Sequence, residues 1–200
     1  MVKKLLFFLL FLTVNVLTAQ DPSGLTLSEA RPFCSDSGAQ FPNTYDGSTA
    51  VETLPDYGCL FPQLRKNPTW YFLKIETSGN LDLKLISYTS NDVRMDTDFI
   101  AWGPFSEDLF NEIINNGDGQ ELTGDKIIGC EKSTSRPFEE DIIINAALVD
   151  EYYIVMIANF SGDEGYSTLE EQNPNDPNTG TTDCFVNDAP TITSTAVTEA

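Results

Sequence analysis

Residues 152–160, YYIVMIANF, form an almost unbroken apolar run rich in aromatic and β-branched side chains. A strand with one wet face alternates apolar and polar positions, so a run without alternation predicts a central strand covered on both faces. Neighbouring strands must flank such a segment and further layers must cover it. Tyr71, Leu73 and Ile75 against Trp70, Phe72 and Lys74 give a period of two over residues 70–75, which predicts a half-buried strand. Leu81, Leu83 and Leu85 against Asp82 and Lys84 predict a second. Ser78-Gly79-Asn80 lies between them as a turn, so the two are expected to pair as a hairpin.

Residues 87–105, SYTSNDVRMDTDFIAWGPF, join an acidic turn to an apolar strand over 98–102, closed by Gly103-Pro104. Ser106 is placed to cap a helix carrying Glu107 and Asp108 in its first turn, with Leu109, Phe110, Ile113 and Ile114 as its apolar side and Asn116-Gly117 as its stop. Short strands are expected over 126–129, 141–146 and 166–169. Residues 34–59 are dense in Gly, Pro, Ser, Asp and Asn, and turns are expected there. Residues 171–182, EQNPNDPNTGTT, have the composition of a linker. Many short strands, one brief helix and Gly/Pro turns predict an all-β fold, an antiparallel β-sandwich of jelly-roll type stabilised by disulfides.

The first residues, MVKKLLFFLLFLTVNVLTAQ, combine two lysines, an apolar run too short to span a bilayer and a small-residue exit. They read as a signal peptide over 1–20. Residues 21–32 follow as a linker or edge strand, 33–186 as the sandwich, and 187–200 as a linker or the start of another domain. Four cysteines in an exported chain predict two disulfides. Of the three possible pairings, Cys34 with Cys59 and Cys130 with Cys184 is the expected one. A formal net charge of −20 disfavours nucleic acid and anionic lipid and favours divalent cations.

The chain has no histidine, so a Ser-His-Asp or Cys-His device and a His-bearing zinc site are impossible. Carboxylate pairs are inevitable among 31 acidic residues and carry no information about glycoside hydrolysis. No enzymatic activity is expected. Asp92, Asp96 and Asp98, with Asn91 or backbone carbonyl oxygens, offer the hard oxygen ligands that calcium takes, although the EF-hand glycine and glutamate are missing. The competing reading makes them loop-solvating residues, with Asp98 bonded to nearby backbone amides. Trp70 and Trp102, with Tyr71, Phe72 and Phe105, either fill a core or form a sugar-stacking platform, core filling being the commoner use. Asn159-Phe160-Ser161 fits the glycosylation pattern and reads as accidental.

In order, CSDSGAQFPNTYDG, YGC, NPTWYFLKIETSGNLDLKL, DTDFIAWGPF, YYIVMIANFSGDEGY and TTDC resemble a β-sandwich module of secreted, gliding-motility-associated and adhesin-like proteins exported by the type IX secretion system. The resemblance spans residues 33–185 and is most specific at NPTWYF and DTDFIAWGPF. WYF with the late YYIVMIANFSG is also loosely similar to the pre-peptidase C-terminal domain. It implies a non-catalytic, cell-surface module tethered to further domains, contributing adhesion, spacing or contact with a surface glycan, host or substratum molecule. Two rivals are an accessory domain of a secreted hydrolase whose catalytic part lies beyond residue 200, and a spacer with no ligand. The chain departs from the resemblance at Leu109-Phe110-Asn111, where members often carry a cysteine.

Overall fold

The computed structural model describes residues 23–35, 39–50, 53–132 and 138–184. The expected signal peptide and the expected tail over 187–200 lie outside them. Ten strands and one α-helix follow in order: β1 (Arg31–Pro32), β2 (Phe41–Pro42), β3 (Pro68–Thr77), β4 (Gly79–Thr89), β5 (Thr97–Phe105), α1 (Glu107–Asn116), β6 (Ile127–Glu131), β7 (Glu139–Ala147), β8 (Tyr152–Asn159), β9 (Gly165–Glu171) and β10 (Thr181–Thr182). One sheet runs β1-β3-β8-β5-β6, with β10 also on β3, and the second runs β2-β9-β4-β7. All pairings are antiparallel except β1 with β3. The molecule is therefore a β-sandwich of two antiparallel-rich sheets.

β8 holds the centre of the first sheet, every residue buried, between β3 and β5. Alternation along these strands divides two cores. Tyr71, Leu73, Phe99, Ala101, Tyr153 and Val155 face the second sheet and meet Leu81, Leu83, Leu85, Ile142 and Leu169. Trp70, Phe72, Ile100, Trp102, Ile154 and Met156 face the other way, under Phe110, Ile113 and Ile114 of α1 and under Leu27, Leu54, Tyr57 and Leu60. The helix is capped as its sequence predicts: the Leu109 N–H donates to Ser106 Oγ, and Gly117 ends it in the left-handed conformation.

Three expectations about strands and loops are corrected. β3 is not half-buried, because α1 and the loops cover its second face. β3 and β4 do not form a hairpin. One edge of β3 is taken by β8 and the other by β1 and β10, so the chain crosses at Ser78-Gly79 into the second sheet, where β4 pairs with β7 and β9. A Cβ at Gly79 would lie 2.5 Å or less from the backbone of residues 178–180, so this crossing admits no side chain. Finally, residues 171–182 are not a linker. Asn80 N–H donates to the Asn178 carbonyl at 2.7 Å, Gly180 N–H returns to Asn80 at 3.0 Å, and Thr181–Thr182 adds to β3.

The disulfides are Cys34 with Cys184 and Cys59 with Cys130, not the expected pairs. β1 and β10 both bind β3, which carries Cys34 and Cys184 to one edge. Cys130 lies opposite Ile100 in β6, and the loop holding Cys59 packs over that outer face. No helix among the described residues is long and apolar enough to cross a membrane.

Candidate functional site

One end of the sandwich gathers most of its buried polar side chains: Asn43, Thr44, Asn67, Thr69, Ser87, Thr97, Asp98, Asn159 and Ser167. On the inner side a chain of hydroxyls links the sheets. Thr97 Oγ1 donates to Ser87 Oγ at 2.8 Å, Ser87 and Ser167 share a bond at 2.8 Å, and Ser167 Oγ donates to Asn43 Oδ1 at 3.0 Å. Asn159 Nδ2 donates to the carbonyls of Thr44 and Asp163, and its Oδ1 accepts from Gly162 N–H. Asn67 Nδ2 donates to the Asn159 carbonyl at 3.0 Å. Burying an amide is costly unless it is paired in this way, and Asn43 Nδ2 is a group of this cluster left without a hydrogen-bond partner among the described residues. Asn159, fully buried, offers no accessible amide for a glycan.

The carboxylates stand at the start of β5. Strand alternation puts Asp96 and Asp98 on the outer side, while Thr97 points into the hydroxyl chain. Asp98 lies opposite Ala158 in β8, and the residue is 4 % exposed. It makes no hydrogen bond among the described residues, in contrast to the backbone-bonded reading of this residue. Asp96 Oδ1 is buried and also without a hydrogen-bond partner. Burial pushes the Asp98 carboxyl up to about 7, the Asp96 charge acts in the same direction, and Lys132 opposes both. Burial raises Asp96 too.

Asp92 does not join this pair. It occupies the left-handed position of the 89–93 turn, and its Oδ1 accepts from the Tyr166 hydroxyl at 2.8 Å. Among the described residues no three Cys, Asp or Glu side chains converge as a metal group. The sequence-derived set of three is therefore a pair, Asp96 and Asp98, plus a separately bonded Asp92. Trp70 and Trp102 are wholly buried and stack with centroids 6.1 Å apart on the outer face of the first sheet. They fill the core and present no ring to solvent.

Sequence reasoning missed Ser87, Ser167, Asn43 and Asn67. Isolated Ser and Asn residues far apart in the chain carry no periodic signal, and only strand pairing brings them together. Asn67, with φ of 46°, left one trace: it precedes a proline directly before an apolar strand. No family model matches the chain, and neither a curated protein nor a solved structure matches it.

Proposed function

We propose that this chain is a non-catalytic, exported β-sandwich module of a cell-surface, adhesin-like protein, whose Asp96–Asp98 pair takes a calcium ion linked to folding. The observation that carries the metal reading is the pairing itself: the buried Asp98 makes no hydrogen bond from its carboxylate among the described residues, and it sits beside Asp96, whose buried Oδ1 is unpartnered among them too. Burying such groups uncompensated is costly, and a hard cation with neighbouring carbonyl or water oxygens offsets that cost. Export is supported by two disulfides that tie distant segments, since such bonds persist in oxidising compartments. The adhesin-like role rests on the sequence resemblance, and the acidic surface suits a partner that is neither nucleic acid nor anionic lipid.

Thermal unfolding in calcium and in excess chelator tests the metal reading. A stabilisation that saturates with calcium and vanishes in Asp96→Asn/Asp98→Asn is expected. Coincident curves would remove calcium and leave the module reading to be tested by immobilising the chain and measuring adhesion to glycan-coated surfaces.

A further inference from the structure

A cleft of about 260 Å³ opens where β6 and β7, the edge strands of the two sheets, come together near the β7–β8 turn. Its walls include Pro104, Ile128, Ile144 and Tyr153, and its polar groups are Asn145 and Glu151. Both sheets depart from regular pairing at this place. β5 shifts register against β8 between Trp102 and Phe105, and β7 carries one extra residue, Asn145-Ala146 standing opposite the single Asn80 of β4. Ala146 sits at φ 53°, a conformation costly for a residue with a Cβ, and its N–H donates to Asn80 Oδ1 at 2.8 Å. Bulges of this kind re-aim side chains and cluster next to binding sites.

The polar end of the cleft is rigidly built. Glu151 Oε2 accepts from Leu148 N–H at 2.9 Å and from the Tyr153 hydroxyl at 2.8 Å. The Tyr153 ring lies so close over Gly103 that a Cβ there would come within 2.4 Å of it, so the ring has one place to be. Glu151 Oε1 makes no bond among the described residues, and no lysine or arginine among them pairs with this carboxylate. Ile143, Leu148 and Val149 stand exposed around the turn.

A cleft that mixes apolar side chains with polar groups and holds one fixed carboxylate oxygen with no cation beside it, in a chain of net charge −20, selects for a positive charge carried on a small hydrocarbon body. We propose that this cleft binds a small organic ammonium ion, its hydrocarbon part against Pro104, Ile128 and Ile143 and its N–H donating to Glu151 Oε1. The site is separate from Asp96 and Asp98 and does not depend on calcium.

Amide chemical-shift mapping of the disulfide-bonded chain, titrated with phenethylamine and in parallel with phenethyl alcohol, tests this. Saturable shifts at Ile128, Asn145, Ala146 and Glu151 are expected, with the alcohol weaker by about tenfold or more. Glu151→Gln keeps an oxygen for Leu148 N–H and Tyr153 OH, so it should fold and bind amine and alcohol alike. Asn145→Lys, at an exposed position, plants a competing ammonium at the rim and should weaken the amine even if the first variant is unstable. Absence of saturation up to about 10 mM overturns the proposal, that being the range where even fragment-sized ligands register. So does equal binding of amine and alcohol to the unaltered chain, or full amine affinity in Asn145→Lys.

Discussion

Cys34 and Cys184 are joined across one edge of β3 with their Cα atoms 5.3 Å apart, although 150 residues separate them in sequence. The bond closes nearly the whole described domain into a ring, and Asp183 N–H donating to the Lys74 carbonyl at 2.9 Å anchors its end to the strand it flanks. Cys59 and Cys130, 71 residues apart, close a smaller loop inside that ring.

Loop-closure entropy assigns the outer bond about 5 kcal/mol and the inner one about 4 kcal/mol at room temperature. Replacing Cys34 and Cys184 by serine is therefore expected to cost at least as much stability as replacing Cys59 and Cys130, read from denaturant midpoints under oxidising conditions. Peptide mapping should recover 34 with 184. Recovery of 34 with 59 would contradict the structure.

Asp98 should make stability depend on pH in an unusual direction. Its carboxyl is raised from 3.8 to about 7 in the folded chain, so its contribution is intact below the ordinary carboxylate range and is lost as pH rises through that interval. In chelator, Asp98→Asn is expected to match the unaltered chain near pH ~4 and to exceed it near pH ~8 by up to roughly 3 kcal/mol. A variant less stable at both pH values would show that the carboxylate is compensated after all.

The hydroxyl chain supplies a local test. Ser87→Ala leaves Thr97 Oγ1 without its acceptor and removes the bond to Ser167, both inside the sandwich. A loss of about 1–3 kcal/mol is expected in chemical denaturation, the range for stranding buried polar partners. A change below ~0.5 kcal/mol would show that water replaces the hydroxyl.

Trp70 and Trp102 should report a dry environment. Blue-shifted emission that iodide does not quench is expected, along with a cost of about 3–5 kcal/mol for Trp102→Ala. Iodide quenching in the native chain would place at least one ring at the surface.

Much of the fold was legible in local pattern. The all-apolar run of β8, the alternation of β4, and the Ser106 and Gly117 caps of α1 each follow from side chains that interact with their own neighbourhood. The candidate site was legible in part. Asp96 and Asp98 share one face at the entry of β5, whereas Asp92, four residues earlier and on the same even spacing, is turned away by its own left-handed backbone, which a period of two does not reveal.

Local pattern was enough to place the long strands, the helix and the crowding of carboxylates, because these depend on residues within a turn or two of each other, whereas the two-residue strands β2 and β10 had no such signal. Tertiary structure decided what those segments touch. β3 and β4, separated by one residue, went to different sheets because both edges of β3 had better partners from far along the chain. The same long-range pairing decided which cysteines meet, gathered Asn43, Ser87 and Ser167 into one network, and opened the cleft at Glu151. Such contacts depend on the geometry of whole sheets, and no local window of residues encodes that geometry.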